Sequence, residues 1–344
     1  MIDIIITYFN QPSYLDECLG SISKQTYRNF LIYIVDDCST ESPELVISKW
    51  KTTLNITYFE SKENLGSLKQ TERIYNNTNS PFVILMHHDD IWDELFLEKV
   101  FFHGLLQEER CSFAYSLYST VKEGSLEAFT DHLVPFFPTG SYDLLFHIIY
   151  SNWIQHSFAI FRRSSFNKVG GVSRSIKAMP EGVGYDKRRL LASDSYTWAR
   201  LSIAGNCFVV NERLGVRRLH KKSYGFLTNE RHLEEVTMFN IRVFNDFDLF
   251  DDIVRYFSMG TVISRIFQKR RLFDVIDEMF TASLFSEPEF FSENFHSLKP
   301  KLLSTVIQVL DSFYYDYSKF DGRKLLKESD KVAYLNRISD SISS

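Results

Sequence analysis

Phe82-Val83-Ile84-Leu85-Met86-His87-His88-Asp89-Asp90-Ile91-Trp92 starts as one kind of structure and finishes as another. Five consecutive apolar residues suit a strand covered on both faces, as in a parallel sheet. The run then breaks into two imidazoles and two carboxylates. Two earlier stretches repeat this pattern. Ile2 to Thr7 is apolar save for Asp3 and leads into Tyr8-Phe9-Asn10, and Phe30 to Val35 leads into Asp36-Asp37-Cys38-Ser39-Thr40. Leu54 to Phe59 supplies a further strand.

Helical segments separate these strands. Ser13 with Asp16 three residues on reads as a cap, and Leu15, Cys18, Leu19 and Ile22 form an apolar stripe behind it. Ser42-Pro43 opens a second helix, and Ser67 with Gln70 reads as a capping box for a third. A helix over Asp93–Phe102 follows the fourth strand. Strand–helix–strand repetition implies parallel pairing with right-handed crossovers. In such sheets ligands bind beyond the carboxyl ends of the strands. Three polar clusters, Thr7–Asn10, Asp36–Thr40 and His87–Asp90, are thereby expected on one edge.

Bulk properties narrow the function. The 344 residues are 44% apolar and 24% charged, with net charge −5, which fits a globular chain not built to coat nucleic acid. Cys18, Cys38, Cys111 and Cys207 have neither zinc-type nor redox-type spacing, so reduced thiols and a cytoplasmic setting are expected. No leader is expected ahead of the first strand, and no apolar run reaches membrane-spanning length.

The polar tetrapeptide can be read in two ways. On an extended backbone, His87 and Asp89 share one side and could share a divalent ion. Alternatively Asp89 or Asp90 caps the following helix.

Taken in order, the motifs resemble the family 2 glycosyltransferases over roughly the first two-thirds of the chain. Ile4-Ile5-Ile6-Thr7-Tyr8-Phe9-Asn10, Leu15-Asp16-Glu17-Cys18-Leu19 and Ser23-Lys24-Gln25-Thr26-Tyr27 resemble the family's opening. Val35-Asp36-Asp37-Cys38-Ser39-Thr40, Glu63-Asn64-Leu65-Gly66 and His87-His88-Asp89-Asp90-Ile91-Trp92 resemble its next three elements. Ser193-Asp194-Ser195-Tyr196-Thr197-Trp198-Ala199-Arg200-Leu201 and Arg218-Leu219-His220 resemble its last two.

The resemblance implies a GT-A fold, which is α/β and Rossmann-like with a mostly parallel central sheet and flanking helices. It implies an inverting, metal-dependent transfer from a nucleoside-diphosphate sugar, a UDP-sugar being favoured, to a glycan or lipid-linked acceptor in bacterial surface polysaccharide synthesis. Asp194 would be the catalytic base. Thr7, Phe9, Asn10, Asp37, Lys69, His88 and Arg218 would form the nucleotide-sugar site. Asp89, His87 and His220 would hold Mn²⁺ or Mg²⁺.

Trp153 and His156 are acceptor-site candidates; core burial is the equal alternative for Trp153. Departures from the family pattern are His87 in place of an aspartate, Cys38 in place of a glycine, and Thr71-Glu72 where Arg-Asn is usual. The rival reading is a degenerate protein of this fold serving as a nucleotide-binding or scaffolding subunit. A sugar nucleotidyltransferase is disfavoured, because Thr7–Pro12 carries no glycine.

The catalytic domain is expected over 1–225, with a nucleotide-sugar half near 1–100 and an acceptor half near 101–225. Helical periodicity dominates 226–344. Those helices leave dimerisation, acceptor docking and membrane contact open. Lys187-Arg188-Arg189, between Gly182-Gly184 and Asp194, reads as a mobile loop or a solvated charge run. Lys269-Arg270-Arg271 reads first as a solvated helix face, and second as peripheral contact with the inner membrane.

Overall fold

The computed structural model describes residues 1–123, 128–129, 137–144, 148, 152–177 and 193–220. The chain divides into two units, Met1–His232 and Leu233–Ser344, and every described residue lies in the first. The loop expected at 187–189, the cluster at 269–271, the boundary at 225–226 and the helices beyond it lie outside the described residues.

Four strands open the fold: β1 (Ile2–Tyr8), β2 (Phe30–Asp36), β3 (Ile56–Glu60) and β4 (Phe82–His87). They lie side by side in the order β3-β2-β1-β4, parallel throughout. Ile4 pairs with both Ile32 and Ile84, and all three side chains are fully buried. Each contributes about 1.5–3 kcal/mol of burial. This is why the central segments read as apolar runs, interrupted in β1 by Asp3, which is buried and paired with Arg163 (2.8 Å).

The chain runs from β1 outward to β3, then returns to place β4 on the other side of β1. The strand order therefore reverses at β1, the kind of switch point where a crevice opens. Register puts Thr7 beside His87 and Tyr8 beside Asp36, so the three polar clusters meet at this crevice.

The second half of the sheet is mixed. β5 (Ile91–Trp92), β6 (Cys111–Lys122), β9 (Ala159–Arg162) and β10 (Asn206–Leu219) complete the path β4-β9-β6-β10-β5. Two short strands, β7 (Ala128–Phe129) and β8 (Gly140–Tyr142), pair with β6 and β10. β9 is antiparallel to both its neighbours, whereas β6 and β10 are parallel. Helices α1 (Pro12–Ser23), α2 (Glu44–Trp50), α3 (Ser67–Tyr75), α4 (Arg163–Lys168), α5 (Gly171–Lys177) and α6 (Ser193–Ala204) flank the sheet. The fold is the expected α/β one.

Several helix starts differ from expectation. α1 begins at Pro12, whose fixed φ suits the first helical position, so Ser13 lies inside the helix and caps nothing. Gly66, with φ +86°, is the cap of α3, and Gln70 turns inward instead of back to Ser67. The helix expected over Asp93–Phe102 is a π-helix over Leu97–Leu105. Its first amide donates to Gln25 Oε1 (2.9 Å), a partner distant in sequence that delays the start.

Two backbone positions carry testable costs. Cys38 has φ +63°, a left-handed conformation that costs an L-residue about 1–2 kcal/mol. Cys38→Gly should remove that strain and lose part of the gain to unfolded-chain entropy. A net stabilisation of about 0.5–1 kcal/mol is expected, read as a rise in the urea midpoint.

Gly215 in β10 sits under the Phe158 ring. An added Cβ there would collide with that ring and lie 2.8 Å from the Ile91 carbonyl oxygen. Gly215→Ala should cost about 1–3 kcal/mol, measured the same way.

Candidate active site

The crevice is floored by the ends of β1, β2 and β4. Asp37, just past β2, is buried. Its Oδ1 accepts from the Leu65 amide (2.7 Å) and from Gln70 Nε2 (2.8 Å), and its Oδ2 accepts from the Gly66 amide (2.9 Å). Asp37 therefore ties the glycine turn before α3 to the carboxyl end of β2. One lone pair of Oδ2 is left for a base.

Asn10 Oδ1 accepts from the amides of Thr40 (2.9 Å) and Glu41 (3.0 Å), so this oxygen orders the loop after β2 and is not free for a nucleotide. Phe9 is 45% exposed, and Lys69 is exposed on α3.

β4 ends at His87, and the backbone then turns: the Asp90 amide donates to the His87 carbonyl (3.3 Å). The expected strand alternation stops here, with three consequences. His88 swings inward, its Nδ1 meeting the Thr7 carbonyl (3.2 Å) and its ring edge-on to Tyr8 (5.2 Å). Its Nε2 is buried without a partner, and burial lowers its pKa. The His88 ring thus packs behind the turn, against Thr7 and Tyr8.

Asp89 meets His220, with Nε2 and Oδ2 3.0 Å apart. Burial alone would raise the Asp89 pKa, but the bond from His220 and the fields of His88 and His87 outweigh it and hold the carboxyl below its usual range. Asp90 lies beneath, buried, and is pushed upward by burial and by the charge of Asp89.

His87 stays exposed. Its ring is 6.3 Å from that of His156, and its charge acts on Asp194. Among the described residues, no three His, Cys, Asp or Glu side chains converge to hold a metal ion. Asp89 and His220 meet directly, and the charge of His87 acts on Asp89 as well as on Asp194.

Asp194 lies in the first turn of α6, and its Oδ1 accepts from the Ser195 amide (2.9 Å). Burial raises its pKa to about 6, against the opposing pull of that amide and of His87 and Arg217. Arg217 and Arg218 diverge. Arg218 lies over the Tyr14 ring (4.3 Å) and reaches Glu17 (2.6 Å), so its charge is already paired. Arg217 acts on Asp90 and Asp194.

Trp153 is buried, with its indole N–H donating to Tyr115 Oη (2.9 Å) and its ring near Phe137. It packs as a core residue, the alternative to an acceptor-site role that the sequence left open. His156 is also buried, its pKa lowered to about 3 by burial and by His87. Its ring lies between those of His87 and Trp198.

Two site residues had no sequence signal. Gln70 grips Asp37, and Ser157 grips the His87–Asp90 turn.

Residues 3–170 match the family model described as glycosyl transferase family 2. This stretch, about half of the chain, belongs to that family. The glycosyltransferase family relationship extends to named relatives. The putative teichuronic acid biosynthesis glycosyltransferase TuaG of Bacillus subtilis (strain 168) is 23% identical over 126 residues, 36% of this chain and 48% of that protein. The poly(ribitol-phosphate) beta-N-acetylglucosaminyltransferase TarS of Staphylococcus aureus (strain Mu50 / ATCC 700699) is 27% identical over 90 residues, 25% of this chain and 16% of TarS. The chain spans less than half the length of either relative. The crystal structure of S. aureus TarS 1–349 in complex with UDP-GlcNAc aligns with a TM-score of 0.59 at 15% identity, covering 99% of this chain and 91% of that one. That likeness is one of fold. Among the described residues no helix is long and apolar enough to cross a membrane.

Proposed function

We propose that this family 2 glycosyltransferase moves a sugar, with inversion, from a nucleoside-diphosphate sugar to a hydroxyl of a glycan or lipid-linked acceptor in bacterial surface polysaccharide synthesis. A UDP-sugar is the favoured donor, since TarS of the same fold binds UDP-GlcNAc. The observation that carries the reading is the convergence of Asp37, of the Asp89–His220 pair and of Asp194 on one sheet edge, with His87 exposed among them.

The acceptor oxygen attacks the anomeric carbon as the bond to the diphosphate breaks, and its proton passes to Asp194. A single carboxylate suffices for this displacement. Mn²⁺ or Mg²⁺ fits beside Asp89 and His220. A carboxylate and an imidazole that already share a hydrogen bond (3.0 Å) are donors of the kind that would hold such an ion. When bound, the ion neutralises charge on the departing diphosphate. Asp89 is kept ionised for that purpose, and His220 is held in line by Gln11 and by the Tyr14 ring. Phe9 offers an exposed ring for the base, and the remaining lone pair of Asp37 an acceptor.

The raised pKa of Asp194 gives a pH prediction. A base must be deprotonated to act, so kcat/KM should fall about tenfold per unit as pH drops below about 6. A flat profile between pH 5 and 7 would contradict the assignment.

The function itself is tested by incubating the protein with a panel of UDP- and GDP-sugars and Mn²⁺, then assaying diphosphate release with and without glycan acceptors. Acceptor-dependent release is the expected result. Tight donor binding without release in any combination would select the scaffolding alternative.

A further inference from the structure

Ser157 is fully buried in the short helical turn His156–Phe158, seventy residues from the acidic turn it touches. β4 pairs with β9 only at Phe82 and Val83, so beyond Val83 this edge of β4 has no strand partner in β9. At His87 a side chain takes over, with the amide donating to Ser157 Oγ (3.0 Å). The same hydroxyl is hydrogen-bonded to Asp90, and the Ser157 carbonyl accepts from Trp92 Nε1 (2.6 Å). One residue thus grips the turn at its start, its interior and its end.

The grip extends to β10. Asp90 Oδ1 accepts from the Arg218 amide (3.2 Å), two residues before His220. The Phe158 ring seats on Gly215 in the same strand. Asp89 lies on the clamped turn and His220 on the clamped strand end. The relative position of Asp89 Oδ2 and His220 Nε2 therefore depends on both contacts.

We propose that Ser157 is a positioning residue that fixes the Asp89–His220 pair in its metal-ready geometry. The inference rests on the metal reading given above. Residues that orient metal ligands change metal affinity by about 10–100-fold when removed.

The test is direct Mn²⁺ titration, following the loss of the free-ion electron paramagnetic resonance signal in the presence of UDP. Thermal melts of the metal-free proteins run alongside. Four proteins are compared: wild type, Ser157→Ala, Ser157→Thr and Ser157→Val. Thr and Val share a shape and differ only in the hydroxyl, so any overpacking is common to both.

Ser157→Ala and Ser157→Val should bind Mn²⁺ about tenfold or more weakly, with Ser157→Thr at least threefold tighter than Ser157→Val. If Thr and Val bind alike, or Ala binds as wild type does, the proposal is overturned while the metal site stands. A wild type that takes up no Mn²⁺ overturns the metal reading and this proposal with it.

Discussion

Asp194→Asn should lower kcat by about 10²–10⁴-fold while leaving donor binding within a few-fold of wild type. The reasoning is steric as much as chemical. Asparagine has the shape of aspartate, and its carbonyl oxygen can still accept the Ser195 amide, so the first turn of α6 keeps its geometry. The substitution removes the carboxylate proposed to take the acceptor proton. It touches neither Asp37 nor the Asp89–His220 pair, the proposed sites of the nucleotide and diphosphate. Steady-state kinetics with calorimetry of UDP binding separates the two effects. Unchanged turnover would remove Asp194 from the chemistry, and lost UDP binding would make its role structural.

The largest stability effect is expected at Arg200. Its side chain is wholly buried. Nη1 donates to the carbonyls of Val169 and Gly171 at 2.9 Å each, and Nη2 donates to Ser175 Oγ. The guanidinium also lies over Tyr196 (4.3 Å) and Phe166 (5.1 Å). It joins α4, α5 and α6, the last of which carries Asp194.

Arg200→Met fills much of the volume but strands two buried carbonyls, each worth about 1–3 kcal/mol. A loss of about 3–5 kcal/mol follows, or a fall in Tm on the order of 10 °C. Donor binding by the folded fraction should persist at low temperature. A melting point within 2 °C of wild type would show that those carbonyls find other partners.

The sequence made the first half of this fold legible because local chemistry dictates it. Apart from Asp3, which is buried against Arg163, the runs Ile2–Thr7, Phe30–Val35 and Phe82–Met86 are apolar since each strand is buried on both faces, and their polar ends had to emerge together. Helix starts were less legible. Ser13 and Ser67 look like caps, but Pro12 and Gly66 set the boundaries through backbone conformation.

The acceptor half resisted reading because its pairings are long-range. β10 pairs with β6 across some ninety residues, with three shifts of register. No local pattern encodes that. The same holds at the site. Asp89 and Asp194 carry motif signatures, whereas Ser157 matters only because the chain brings it to the edge that β9 leaves uncovered. The burial of His88 Nε2 and of Trp153 was not legible either, since polar or aromatic character near a site does not reveal which way a side chain turns.

The central claim is that this sheet edge binds a nucleoside diphosphate together with a divalent ion. It is tested most directly by melting the wild-type protein with UDP and with GDP, each in Mn²⁺ and in chelator. At a hundredfold excess over Kd, a ligand of the folded state adds about 2.7 kcal/mol of stability. One nucleotide, UDP by preference, should raise Tm in Mn²⁺ and fail to do so in chelator. A melting point that no nucleotide moves under either condition would contradict the account.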